Sequence, residues 1–368
     1  MAPAQDTTAT SVAGDPEAAD NTWVHAMLFA SSHVFPMVLN AATRLGVFDI
    51  LARAGPGNRV SASEVAAQLA ATQNSEAAPK LDRMLRLLAS HSLLSCEVRE
   101  GDDGRAVQRL YGLTPAARFF VKEGEEGSLA SLLELSFHPA AQQVWLQLDD
   151  HILEGGNQFK KVHGISIFEF MDLDPAFNNT FNKAMAALTT IVMRKILEIY
   201  RGFEGLTTLV DVAGGTGKCL NMVVSKYPSI KGINFDLPHV IESAPSYSGI
   251  QHVGGSMFST IPKADAIMIK DTLHNWTDEN CIKILKNCYE ALPSKGKAIV
   301  IGLVLPEAPE RSAASLYGST LDNTMLMQPG GQERTEREFR ALAKAAGFSE
   351  LKVACLASNM WAVMELYK

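Results

Sequence analysis

"LVDVAGGTGK", residues 209–218, decides the fold. An apolar segment that reads as a buried strand runs into a glycine-rich turn, and Lys218 opens a helix. Such a turn lets the backbone approach a ligand at the carboxyl ends of a parallel sheet. It is not a phosphate loop of the GxxxxGK[ST] type, and the G-x-G-x-x-G dinucleotide spacing is not met. Alone, the turn does not name its ligand. The next strand, "KGINFD", ends about 20 residues on in Asp236, where a carboxylate can accept both hydroxyls of a ribose. The pair suits a nucleoside-containing ligand with no need of a pyrophosphate, and S-adenosylmethionine is one. A second reading of Asp236, a cap for the helix opening at "PHVIESA", stays open.

Outward from this turn, strands and helices alternate to the C-terminus. "TLVDVA", "KGINFD", "DAIMIK", "KAIVIGLVL", "FSELKVACLA" and "WAVMELYK" read as strands with helical segments between most of them. The expectation is an α/β domain over 203–368 with a doubly wound, mainly parallel, Rossmann-like sheet. "DAIMIK" runs into "DTLHNWTDENC", so His274 stands at the mouth of that sheet, where a ligand would lie. A lone histidine is more often a satisfied core residue than a catalytic one.

The N-terminal half has another texture. Residues 1–22 are polar, without the apolar core of a secretory signal, and read as a disordered leader. The apolar run from 23 to about 52 is broken by Ser31, Ser32, His33, Pro36 and Asn40, short of the ~18 uninterrupted residues of a membrane span. It reads as a buried dimer element. Ser61 and Glu64 form an S-x-x-E capping box, and Leu81, Met84, Leu85, Leu87 and Leu88 make a helical stripe. "LLSCEVRE" and "RLYGLTPAARFF" flank "GDDG" as the strands of a wing would. Residues 23–126 thus read as a winged-helix-like, mainly helical dimerisation domain, with a helical connector over 127–202.

Composition narrows the function. Hydrophobic residues make up 47% of the chain and charged ones 20%, as in ordinary globular proteins. A net charge of −7 argues against a nucleic-acid partner. Five cysteines, an odd number without CxxC or Cys/His metal spacing, read as reduced buried thiols of a cytoplasmic protein, with no metal.

Taken together, "LVDVAGGTG", "KGINFDLPHVIE", "HVGGSMF", "LHNWTDE" and "GGQERTEREF" resemble the plant caffeic acid/chalcone-type O-methyltransferases. The resemblance runs from about residue 23 to the C-terminus and includes "LDRMLRLLAS" and "RLYGLTPAA". It implies a homodimer that moves a methyl group from S-adenosylmethionine to a phenolic oxygen without metal, releasing S-adenosylhomocysteine. It implies His274 as general base, flanked by Glu333. For the cofactor it implies the turn at Ala213, Gly214 and Gly215, Asp236 on the ribose, Ser256 and Met257 at the adenine, and Lys270 near the carboxylate. For a small aromatic acceptor it implies Leu135, Ser136, Phe177, Phe181, Met185, Leu188, Met325 and Met327. The acceptor wall is apolar where monolignol-methylating relatives carry polar groups, so a bulkier or less hydroxylated aromatic is expected: a phenylpropanoid, a flavonoid or a related specialised metabolite. Phe177, Phe181, Met185 and Leu188 also recur at a helical spacing that suits plain core packing.

The chain departs from that family pattern at four positions. Ala213 replaces the first glycine of "GGGTG". Ser256 replaces the aspartate of "GGDMF". Gly302, in "IVIG", replaces the glutamate of "IVAE" that would hold the histidine tautomer. Asp271 replaces an apolar or aromatic residue three before His274. Such a pattern would also follow in an enzyme using His274 and Glu333 for a proton-transfer cyclisation or isomerisation, or in a catalytically silent partner subunit.

Overall fold

Residues 21–69, 74–100, 107–122 and 127–368 are described in a computed structural model and fall into two compact units divided between Val121 and Lys122. In the first unit, helices Thr22–Ala30 and Val34–Arg44 carry the apolar run, and Trp23, Met27, Leu28, Phe29 and Met37 are all more than half exposed. No single helix among the described residues is long and apolar enough to cross a membrane; these two pass such a test only together, across a bend of 52°. The Ser61 hydroxyl accepts from the Glu64 amide while the Ser61 amide donates to Glu64 Oε2 at 2.7 Å, which fixes the start of helix Ala62–Gln68. Helix Ala77–Ser90 buries Leu81, Leu85 and Leu88 along one stripe.

The wing is a small antiparallel sheet of β1 (Val60–Ser61), β2 (Leu94–Glu100) and β3 (Val107–Leu113), in the order β1-β3-β2. The short β1 is an addition to the two strands expected. Asp82 ties the sheet to helix Ala77–Ser90, accepting from Tyr111 Oη at 2.7 Å and Arg109 Nη1 at 3.0 Å. The turn at 101–104 and the leader up to residue 20 lie outside the described residues. All five thiols are unbridged, but Cys96 is exposed rather than buried, because β2 is an edge strand whose outer half reaches solvent.

The second unit begins with helices Ala130–Ser136, Pro139–Trp145, Leu148–Glu154, Gln158–His163, Ile167–Leu173 and Pro175–Ile199. Their breaks are set by local chemistry. Proline stands in the first turn at 139 and 175, and Asn157, Ser166 and Asp174 cap the starts that follow them. The sheet contains β4 (Thr208–Val212), β5 (Lys231–Asp236), β6 (Ile250–Gly254), β7 (Ala266–Lys270), β8 (Lys297–Leu305), β9 (Arg334–Thr335), β10 (Glu350–Ala357) and β11 (Trp361–Tyr367). Its order is β10-β11-β8-β7-β4-β5-β6, with β9 beside β8. The strands from β6 across to β8 are parallel; β11 runs against them, and β10, antiparallel to β11, runs with them again.

Side chains alternate across the central strands. Val210 and Val212 face one apolar cluster with Ile267, Ile269 and helix Asp278–Ala291, while Leu209 faces the other with Met268 and helices Pro175–Ile199 and Lys218–Lys226. From β4 the chain turns one way into β5 and later returns on the other side as β7. The crevice outside the carboxyl ends of β4 and β7 is therefore the switch point where ligands bind in such sheets.

Candidate active site

The turn after β4 is built around close backbone approaches. The Ala213 amide donates to Phe235 O at 2.8 Å, and Ala213 holds φ +56, a left-handed conformation that an L-residue adopts only at a cost. A Cβ on Gly214 would lie 2.1 Å from Asn234 Oδ1, so only glycine fits there. At Gly215 the added atom would meet nothing, and its amide donates to Asp236 Oδ2 at 2.7 Å. Asp236 Oδ1 accepts from the Leu237 amide at 2.7 Å. Asp236 is therefore fixed at the end of β5 by two backbone donors, and the helix behind it opens at Pro238 without a side-chain cap.

Beside it, Asp211 is buried with one carboxylate oxygen unpartnered, and so is Asn234 Oδ1. Burial pushes the Asp211 carboxyl up to about 7, opposed by the Lys270 ammonium and reinforced by Asp236. Neither Asp211 nor Asn234 stood out in the sequence, although a carboxylate within an apolar strand was a signal. An open glycine face, a fixed carboxylate and orphaned polar atoms at the switch point fit a nucleoside ligand that brings its own donors. Ser256 and Met257 follow β6; the Ser256 hydroxyl accepts from the Phe258 amide at 3.3 Å and Asn287 Nδ2 donates to Met257 O at 2.8 Å. Among the described residues no group of three His, Cys, Asp or Glu side chains could hold a metal ion.

At the end of β7, Lys270 is buried and ion-paired with Asp271, and it lies 3.4 Å from Thr189 Oγ1. Burial opposes charge on both partners; mutual attraction wins, leaving Lys270 above and Asp271 below their ordinary ranges. His274 sits in a short 3-10 turn, Leu273–Asn275, with Nδ1 2.6 Å from Glu333 Oε1. Burial alone would lower the imidazole pKa, but the Glu333 hydrogen bond and charge, helped by Asp271, raise it. With Nδ1 engaged, Nε2 is the nitrogen free to take a proton.

The segment carrying Glu333 is locked to the histidine. A Cβ on Gly331 would lie 1.9 Å from His274 O, and the Gln332 amide donates to that oxygen at 2.9 Å. Arg334, fully buried, donates to Leu273 O at 3.0 Å, Trp276 O at 2.8 Å and Asp278 Oδ1 at 2.8 Å, clasping both sides of the histidine turn. Sequence reading missed it.

The residues named for the acceptor divide. Phe177 and Met327 are buried in one cluster with Leu135 and Phe181 packed against it, so these four come together. Leu188 packs against the cluster beneath β4 instead, because seven residues along a helix carry it roughly 10 Å beyond Phe181. Ser136 is exposed, its hydroxyl tied to Leu132 O at 2.8 Å, and Met185 and Met325 are half-buried.

Comparison with known proteins agrees with this architecture. Residues 145–349 match the O-methyltransferase domain, and residues 27–123 match the O-methyltransferase dimerisation domain. Caffeic acid 3-O-methyltransferase of Capsicum annuum is 52% identical over 350 residues, 95% of this chain and 97% of that protein. O-methyltransferase 13 of Lophophora williamsii is likewise 52% identical, over 95% of this chain and 96% of its own. The crystal structure of human N-acetylserotonin methyltransferase in complex with SAM shares the fold at a TM-score of 0.79 and 24% identity, covering 98% of this chain and 99% of that one. Matched in both its domains and over nearly its whole length, the chain belongs to the S-adenosylmethionine-dependent O-methyltransferases of the plant caffeic acid type.

Proposed function

We propose that the enzyme methylates a phenolic hydroxyl of a bulky, sparsely hydroxylated plant aromatic, with His274 as general base. The observation that carries this reading is the 2.6 Å contact between His274 Nδ1 and the buried Glu333 carboxylate at the mouth of β7. A phenol of pKa near 10 is only about a thousandth ionised at neutral pH, so a positioned base is worth roughly 10²–10⁴-fold. His274 Nε2 takes the phenolic proton, and Glu333 holds the imidazole in that tautomer and stabilises the imidazolium formed. When bound, S-adenosylmethionine supplies an electrophilic methyl group on a sulfonium centre. Gly214 and Gly215 with Asp236 would hold its nucleoside and amino-acid parts, Ser256 and Met257 its adenine, and Lys270 would stand near its carboxylate.

Leu135, Phe177, Phe181 and Met327, which share one cluster, are assigned to the acceptor wall with Met185 and Met325; Ser136, exposed, and Leu188, in the cluster beneath β4, lie apart from it. The capsicum relative's name specifies caffeic acid; the apolar wall here favours a larger, less hydroxylated ring system. Residues 23–126 form the dimerisation domain in this reading, 127–202 the connector lining the acceptor pocket and 203–368 the catalytic domain. The exposed Trp23, Met27, Leu28 and Phe29 suit burial in a homodimer. Light scattering at micromolar concentration tests the dimer, and a monomer refutes it. For the base, His274→Ala lowers turnover at least ~10²-fold while calorimetry shows cofactor affinity nearly unchanged. An unaltered rate removes His274 from the reaction.

A further inference from the structure

Gly302 and Asp271 are neighbours. The parallel register pairs Lys270 with Ile301, so the next residue of each chain, Asp271 and Gly302, stand side by side where β7 and β8 meet the crevice. The Asp271 amide donates to Ile301 O at 2.9 Å. A carboxylate absent from one strand is present on the next. Both residues line a small cavity of about 10 Å³ together with His274 and Glu333. Nothing lies within 4 Å of where a Gly302 Cβ would be. That volume is close to the smallest that accommodates one water, so little separates the groups around it.

We propose that Asp271 is a positioning residue for the base: its carboxylate is the second anionic partner of the His274–Glu333 pair, acting across the cavity beside Gly302. This rests on His274 being the base. The carboxylate is well fixed. One oxygen accepts from Trp361 Nε1 at 3.3 Å, the other holds the Lys270 ammonium, and the backbone is left-handed at φ +46, which Asp tolerates better than bulkier residues.

Lys270 cancels part of the field. It does not cancel all of it, because Asp271 raises the His274 pKa more than Lys270 lowers it. Other titratable groups around this site, among the described residues, are Glu333, the Tyr317 phenol, raised to about 12 by burial and by Asp271 and Glu333, the buried Cys219 thiol, also raised, Asp211 on the far side of Lys270, and Asp322, whose Oδ1 accepts from the Glu333 amide at 2.8 Å. Tyr317 and Cys219 are neutral at working pH, and the charged groups that act on the imidazole are two carboxylates, Glu333 and Asp271, and one ammonium, Lys270.

The test is the His274 titration, followed by ¹³C NMR of labelled imidazoles in the folded protein, with the resonance assigned among nine histidines by its loss in His274→Ala. Asp271→Asn keeps a side chain that tolerates the left-handed backbone. It should lower the His274 pKa by about one unit and move the acid limb of kcat/KM to lower pH. The rate should fall about tenfold, in kcat more than in acceptor KM. Lys270→Met with Asp271→Asn removes the pair without leaving a buried charge, and it should shift the titration in the same direction even if the single variant folds poorly.

Gly302→Glu in the Asp271→Asn background should recover most of the loss, since it returns a carboxylate to the same cavity. An unmoved titration in both Asp271 variants, or no recovery by Gly302→Glu, overturns the proposal. If His274→Ala keeps full activity, the base reading itself fails; if it is inactive while Asp271→Asn titrates as the native protein does, only the role given to Asp271 fails.

Discussion

Replacing Glu333 by glutamine asks how much the base depends on its one contacting carboxylate. Glu333 is 5% exposed and accepts at 2.6 Å, and Gly302 offers no second carboxylate in direct contact. If the new amide presents its oxygen to Nδ1, the tautomer survives and only the charge is lost. A charge-assisted hydrogen bond is worth about 1.5–3 kcal/mol, or roughly 10–150-fold in rate. If the amide presents its NH₂ group, Nδ1 becomes the acceptor and the proton moves to Nε2, the atom that must take the phenolic proton. The analogous loss in a serine protease is ~10⁴-fold. The expected fall in kcat/KM is therefore ~10–10⁴-fold, measured by release of S-adenosylhomocysteine with saturating cofactor.

Stability supplies a second readout with a definite sign. The His274 pKa is raised in the folded state, so its contribution is fully present below the ordinary imidazole pKa of about 6.5 and is lost as pH rises through the folded value. Glu333→Gln should therefore cost more melting temperature near pH 6 than near pH 9. A rate loss under tenfold, or a larger destabilisation at the alkaline end, would refute the reasoning.

Three further outcomes are expected. Ala213→Gly relieves a left-handed residue at roughly 1–2 kcal/mol and loses about 0.4–1 kcal/mol to unfolded-chain entropy, so thermal denaturation should show a net gain of ~0.5–1 kcal/mol. Ser256→Asp adds an acceptor where adenine is assigned and should tighten S-adenosylmethionine binding by calorimetry about 10–100-fold; no gain would take the adenine away from Ser256. Arg334→Leu removes a charge-assisted hydrogen bond from each of the Leu273 and Trp276 carbonyls, worth about 1.5–3 kcal/mol apiece, the partner Asp278 being 60% exposed and adding little, so both melting temperature and kcat should fall. Lysine at 334 should rescue poorly, because it lacks the planar fork.

Sequence patterning carried most of the sheet. Strands such as Ala266–Lys270 are short apolar runs with helical stretches between them, and the capping box at Ser61 is local chemistry. The short β9 and the mixed β6 lack that contrast and did not stand out. Within the site, Asp236 ends a recognisable strand and His274 follows one closely, whereas Glu333 reaches the histidine from 59 residues away and was nameable only through resemblance. Arg334 carried no signal, because nothing local distinguishes a buried arginine from a solvated one in "GGQERTE". The partner of Asp271 was hidden for another reason. Adjacent residues of a regular strand point to opposite faces, and only the left-handed turn of its backbone lets Asp271 fold back onto Lys270.

The clasp at Gly331 has a consequence for how this enzyme can be re-engineered. The amides of Gly330 and Gly331 both donate to Met325 O, and the next amide donates to His274 O, so helix Ala313–Met327, Glu333 and His274 form one mechanical linkage. Remodelling the proposed acceptor wall at Met325 or Met327 would pull on His274 and Glu333, trading rate for selectivity. Among the described residues, helices Ala130–Ser136 and Pro175–Ile199 make no hydrogen bond to residues 273–275, the link from Thr189 reaching Lys270 instead. Libraries aimed at new acceptors should diversify Leu135, Phe181 and Met185 first, where preference can drift while the chemistry stays in register.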